Sequence, residues 1–453
     1  MGMELPLRKF FTSSCHSGKG DAVEDLKISV RFGEIAFLIV LSMIAKLCVD
    51  YFVFSVSHIF GVYGVEAKGY FFSTEYWVAW ISYLLVLSSY LLYMARQGDI
   101  FDCSLSFLFF SIFIPVGTLY WVEQGDFLYL MFCSVFWFLL FFVLYISVLR
   151  RHSVLSFFEN KKIELVVGVL YFLVLALLGG GLLRNFDISA GLGFDSVYER
   201  RRSFAGWLED GGIWVYLYAW SVYVFAVYLI FVSSAKFLKF VGALYVVALY
   251  AVAGDKVYLF LLVLICFLIF SSKKGRSTMI LCAFIFLTLL GVCSFQLFGN
   301  VWISAIVHRF LILPADVSFN YIDYFNDGLL LYGYSFLSSF VGYNYSELPA
   351  KLIGSFYYTD GDNANVNFLA DAYVNLGWFS IAPLLLFFVV LRMTFRDTKY
   401  LVLLIPVFVQ AINSPLPTLL LTGGGGLMIV GCYALSRSGV HVVENPKRAI
   451  GAA

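Results

Sequence analysis

Charge is scarce in this chain, and that scarcity sets its class. Only 13% of the 453 residues are Asp, Glu, Lys or Arg, while 61% are hydrophobic. A soluble domain of this size cannot cover its surface with so little charge, so the sequence reads as a polytopic helical membrane protein. Short segments of alternating polarity are missing, which excludes a transmembrane barrel. There is no dense basic tract and the net charge is only +1, which excludes nucleic acid as a partner. The eight cysteines include no CxxC and no His/Cys metal spacing. They read as small apolar packing residues, with neither a disulfide framework nor a zinc site. A cleavable signal peptide is also missing. The first apolar run begins near Ile35, behind Arg8, Lys9, Lys19, Lys27 and Arg31, and reads as a signal anchor.

The long apolar runs lie at 35–56, 76–94, 104–122, 128–149, 163–183, 213–232, 237–254, 257–271, 278–296, 373–391, 399–414 and 417–436. They predict an all-α integral membrane bundle of about twelve spans, each of roughly 17–25 residues. Residues 1–33 and 437–453 read as cytosolic tails, and two large loops fall at 184–212 and 297–372. With the N-terminus inside, 21 of the 30 Lys+Arg lie in the tails and inner connections and eight lie outside. Basic residues favour the cytoplasmic side, so both large loops are expected outside. The outer segments also hold 17 Asp+Glu, so the arginines there call for an anionic ligand.

In the first loop, Ser196 and Glu199 fit a capping box, which puts Arg200, Arg201 and Arg202 in the first turns of a short helix. Residues about 100° apart cannot all share one face, and Arg200 and Arg201 are taken as functional. In the second loop an apolar helix at 300–312 carries His308 and Arg309 and is expected to stop at Pro314. Residues 315–327 read as an amphipathic helix on the membrane surface, followed by an irregular, tyrosine-rich stretch. Guanidinium groups suit bidentate binding of a diphosphate, and they equally suit lipid phosphates. Lys256, beside Asp255 where two spans meet, reads as a near-membrane functional pair or as a surface turn. Asn363, Asn365 and Asn367 can bind sugar hydroxyls or cap the following helix, with Asn365 or Asn367 as the cap. Asp360 and Asp362 resemble the start of a calcium loop, but Ala364 stands at a ligand position, so no metal site is expected. Lys46 and Asp50 are four residues apart on one helical face, as an internal ion pair or a snorkelling lysine. Gly423 to Gly426 lack the Gly-Lys-Ser/Thr of a P-loop and read as a helix break or close helix packing.

Four stretches together resemble the Wzy family of O-antigen repeat-unit polymerases. They are Tyr198-Glu199-Arg200-Arg201, Gly254-Asp255-Lys256, the basic pair before Ile312-Leu313-Pro314, and the asparagine-rich run continuing to Gly377. An Arg-x10-Gly pattern fits Arg200 to Gly211; in the second loop the corresponding positions are Phe319 and Asn320. The resemblance implies a broadly GT-C-like glycosyltransferase of the bacterial inner membrane, active at the periplasmic face. It would use undecaprenyl-diphosphate-linked oligosaccharides, contact membrane lipids and work beside a chain-length regulator, with no cofactor. It implies Arg200 and Arg309 as catalytic residues that stabilise the leaving diphosphate. Arg201, Lys256, His308, Glu347, Asn363, Asn365, Asn367 and Asp371 would contact substrate. Glu347, Asp362, Asp371 and His308 are open candidates for the general base. An O-antigen ligase and a polysaccharide transporter or flippase are the rival classes.

Overall fold

The computed structural model describes residues 32–56, 73–94, 100–123, 125–149, 230, 236–253, 276–299, 301–335, 338–343, 345–358, 363–394, 404–421, 424–426 and 428–430. The first large loop with Arg200 and Arg201, Lys256, most of both tails and the predicted spans at 163–183 and 257–271 lie outside these residues. So does all of the span at 213–232 except residue 230.

Every regular element among the described residues is helical, and seven helical stretches are long and apolar enough to cross a membrane. The chain is a multi-pass helical membrane protein. Two of the seven run over Val301–Tyr324 and Phe368–Met393; in order the six long single helices, of which all but α5 are among the seven, are α1 (Phe32–Val56), α2 (Thr74–Met94), α3 (Ile100–Glu123), α4 (Phe127–Leu149), α5 (Lys236–Ala253) and α6 (Arg276–Phe298). Each matches a predicted span to within a few residues, because a long apolar run has only the helix to satisfy its backbone in lipid.

The core sits around α3, which is fully buried over Phe101–Val122. Phe109 stacks on Phe113 and meets Trp137 and Phe141 of α4 edge-on, while Tyr90 of α2 packs on the same ring. The opposite faces of α1, α2 and α4 keep large apolar side chains exposed, among them Leu47, Ile81, Leu85 and Phe142. That is the pattern of helices bordered by lipid. Lys46 and Asp50 form the internal pair, at 2.5 Å, and the lysine does not snorkel.

The second loop is more deeply integrated than its sequence suggests. α7 (Val301–Val307) packs back along α6, where the Ser304 hydroxyl donates to the Gly291 carbonyl at 2.7 Å. The helix does not stop before Pro314. A π turn (His308–Ile312) carries the chain into α8 (Leu313–Tyr324), with Pro314 in its first turn. The proline gives up one backbone bond of this continuous helical stretch, and the wider turn accommodates its ring. Eight of the twelve residues of α8 are buried, including Asp316 and Ser318. Phe310 meets Phe107 of α3, and Phe319 lies against Tyr129 of α4. α8 is therefore a packed element of the bundle and not a surface-lying amphipathic helix.

Two short helices follow, α9 (Ser338–Val341) and α10 (Pro349–Tyr357), and Phe356 and Tyr357 of the second pack on Tyr324 of α8. The predicted span at 373–391 is not one straight rod. α11 (Phe368–Leu376), a 3-10 turn (Gly377–Ser380) and α12 (Ile381–Thr394) form a helical hairpin. The rings of Phe368 and Phe388 lie 5.7 Å apart, whereas a straight helix would separate them by about 30 Å. Phe136 packs on both. Gly377, at φ +56°, makes the reversal.

Within the last two predicted spans the described helices are short: α13 (Ile405–Gln410) and α14 (Leu416–Leu421). The break between them meets the start of α11, where the Phe368 N–H donates to the Ala411 carbonyl at 3.2 Å. Gly425 and Gly426 follow, and a Cβ on either would sit 2.7 or 2.6 Å from a carbonyl oxygen of α14. The crowding is local, against carbonyls six residues back in the chain, and fits the helix-break reading of the glycine run.

Candidate functional site: a tyrosine-lined cleft over a buried carboxylate

The cleft is built on the C-terminal end of α11. Helix ends leave carbonyls without intrahelical partners. Here the Leu330 N–H donates to the Val374 carbonyl at 3.2 Å and the Leu331 N–H to the Asn375 carbonyl at 3.1 Å. The Tyr332 N–H donates to the Asn375 side-chain oxygen at 2.7 Å. This pinning holds Leu331 and Tyr332 at φ +49° and +56°, conformations that cost about 1–3 kcal/mol each outside glycine. The next residue, Gly333, has no room for a side chain, because a Cβ would lie 2.4 Å from the Gly342 carbonyl oxygen. Tyr334 follows directly on this strained, tightly packed turn.

Above it lies an open cleft of about 510 Å³. Tyr334, Tyr343, Tyr345, Ser338, Glu347 and Lys351 are among its lining residues. The tyrosine rings run as a chain: Tyr332 to Tyr334 at 6.1 Å, Tyr334 to Tyr343 at 6.0 Å, Tyr343 to Tyr345 at 5.4 Å and Tyr345 to Tyr324 at 6.2 Å. Such ring faces stack on apolar sugar faces while their hydroxyls supply directional contacts.

Below the cleft, Asp371 is 3% exposed. Its Oδ1 accepts from the Tyr334 hydroxyl at 2.8 Å and from the Asn375 amide at 3.1 Å; its Oδ2 has no hydrogen-bond partner among the described residues. Burial and then the Asp371 charge push the Tyr334 hydroxyl far above the usual phenol range, and Tyr332 is pushed up for the same two reasons. Tyr343 is raised to about 12, by burial first and then by Tyr345 and Tyr324. Two further tyrosines hold carboxylates of α8: Tyr358 donates to Asp316 at 2.5 Å and Tyr357 to Asp323 at 2.6 Å.

No family model, curated protein or solved structure matches this chain. Its site is therefore read from its own geometry. Of the expected substrate contacts, Glu347 is at the cleft, half-exposed and paired with Lys351 at 2.8 Å. Asp371 lies beneath it. Asn363 and Asn365 are exposed on the segment that leads into α11.

Asn367 is not a sugar contact. It is 1% exposed and caps α11, accepting from the N–H groups of Leu369 and Ala370 at 2.9 and 3.0 Å. Its amide donates to the Ser318 hydroxyl at 2.6 Å, so both ends of the side chain are committed. Nor do His308 and Arg309 form a paired clamp: His308 is 4% exposed inside the bundle while Arg309 faces outward. With one side chain inside the bundle and the other on its surface, the pair does not present a shared anion site.

Among the described residues, no three His, Cys, Asp or Glu side chains come together as a metal site. The sequence reading missed Asn375 and the tie between Tyr334 and Asp371. Asn375 stands one helical turn after Asp371, a spacing that could have marked a shared face. Tyr334 had no such signal, because it reaches Asp371 from 37 residues away. Also missed was a second buried pair, in which Arg392, counted among the inner-face bases, is 1% exposed and lies 3.4 Å from Asp102 of α3.

Proposed function

We propose that this chain is an O-antigen polymerase of the Wzy type, a glycosyltransferase of the bacterial inner membrane. On this reading it has about twelve spans in a broadly GT-C-like arrangement, and the tyrosine cleft opens to the periplasm. The growing glycan on undecaprenyl diphosphate is the donor, and a lipid-linked repeat unit is the acceptor. An acceptor hydroxyl attacks the anomeric carbon and the lipid diphosphate departs. Arg200, Arg201 and Arg309 supply positive charge to that leaving group.

The observation that carries the reading is the cleft itself. It joins a bundle embedded in lipid to a chain of tyrosine rings with hydroxyl and carboxylate groups between them, which is chemistry suited to an uncharged or weakly charged glycan. The test is reconstitution: purified full-length chain and undecaprenyl-diphosphate-linked repeat units should yield a ladder of polymer. In cells, deletion should remove the ladder and leave one repeat unit on the core. Loss of that single unit as well would mark a ligase instead.

A transporter is favoured by one feature. The α11–α12 hairpin and the α13–α14 break meet through the Phe368–Ala411 bond, and interrupted helices meeting inside a bundle are common at transport sites. Glycan movement across proteoliposomes without any chain extension would support that reading over the polymerase.

A further inference from the structure

We propose that Tyr334 takes the proton from the attacking sugar hydroxyl and passes its own to Asp371. The inference rests on the polymerase reading and adds the proton path. Asp371 is buried beneath the cleft, so a sugar cannot reach it directly. Tyr334 bridges the two, since it lines the cleft and its hydroxyl ends on the carboxylate.

The hydrogen-bond inventory leaves room for this step. A phenol has one donor and two acceptor sites. The donor is spent on Asp371 Oδ1 at 2.8 Å, and one acceptor site takes the Asn375 amide at 3.3 Å. Among the described residues nothing else bonds to this oxygen, and on this proposal its second acceptor site takes the sugar hydroxyl. Glu347 is the wrong base for this position, because it is half-exposed and already held by Lys351 at the rim. Tyr334 is kept neutral at rest by burial and by the Asp371 charge, so it hands on a proton only as it receives one. The turn that carries it stores strain at Leu331 and Tyr332, as expected where a side chain must be held in one place.

The acceptor O–H bond breaks, its proton goes to the Tyr334 oxygen, and the phenolic proton goes to Asp371 Oδ1. The electron pair left on the acceptor oxygen forms the bond to the anomeric carbon. The bond from that carbon to the diphosphate oxygen breaks, and its pair leaves with the lipid diphosphate. Tyr334 ends neutral and Asp371 ends protonated.

The experiment uses the full-length chain in lipid nanodiscs with a synthetic undecaprenyl-diphosphate repeat unit, with kcat expressed per folded protein. Tyr334→Phe and Asp371→Asn should each lower kcat by about 10²-fold or more with little change in KM. The double variant should fall no further than the worse single one, because the two act as a unit. Asp371→Glu should recover part of the loss, and a solvent deuterium effect on kcat should shrink in Tyr334→Phe. If Asp371→Asn fails to fold, Tyr334→Phe, which deletes a single oxygen, carries the test alone. Full kcat in Tyr334→Phe, or losses that multiply in the double variant, would overturn the relay and leave the polymerase reading standing. Absence of polymer from the wild-type chain would overturn both.

Discussion

Replacing Lys46 with Met removes one member of a buried polar knot between α1 and α3. The Lys46 ammonium lies 2.5 Å from Asp50 Oδ1 and 3.1 Å from the Thr118 hydroxyl, and it sits 5.4 Å from the centre of the Trp80 ring. The same carboxylate oxygen also accepts from Thr118 at 2.6 Å and from the Trp121 indole at 3.3 Å. The lysine and aspartate side chains are 0% and 3% exposed. Methionine keeps most of the apolar stem, so the loss is chiefly electrostatic: an aspartate stays buried with two neutral donors and no cation. Removing one partner of a buried pair costs about 3–5 kcal/mol. At about 2 °C per kcal/mol for a large chain, the apparent melting midpoint in detergent should fall by roughly 6–10 °C. The companion variant Lys46→Met with Asp50→Leu removes both charges and should return to the wild-type midpoint or exceed it, since apolar replacement of a whole buried pair is often neutral or stabilising. A single variant costing less than about 1 kcal/mol would behave as a solvent-exposed pair does and would refute the buried knot. A double variant as unstable as the single one would show that packing, not charge, sets the loss.

Asn367→Ala should cost about 1–2 kcal/mol, with faster amide exchange at Leu369 and Ala370, whereas Asn367→Ser should keep most of the cap. Gly426→Ala forces a Cβ to 2.6 Å from the Leu420 carbonyl oxygen and should destabilise the chain by about 1–3 kcal/mol in the same melting assay. Arg200→Ala and Arg309→Ala should each reduce polymer by about 10²–10³-fold, with poor rescue by Lys, whose point charge lacks the guanidinium fork; normal polymer from both would leave these arginines to lipid phosphates. Polymerisation should persist in chelator; if magnesium or manganese is needed to restore it, charge compensation by arginine alone is wrong.

Much of the bundle was legible from sequence. The apolar runs that became α1 to α4 and α6 are long enough to bury a full helix in lipid, and no neighbour is needed to explain them. The i,i+4 spacing of Lys46 and Asp50 and the capping character of Asn367 are equally local, and both were readable. What tertiary structure decided is where the chain turns back and what meets there. No hydropathy profile distinguishes a straight span at 373–391 from a hairpin, since both are equally apolar; the packing of Phe368 on Phe388 makes the difference. The polarity of α8 suggested a surface helix because sequence cannot register that Tyr358 and Asn367 arrive to satisfy Asp316 and Ser318. The cleft has the same origin. Tyr334 and Asp371 are 37 residues apart, and they meet because the free carbonyls at the end of α11 draw the strained turn at Leu331 and Tyr332 onto it. Helix period is written in neighbouring residues, whereas the pairing of distant polar groups depends on how the backbone is folded around them.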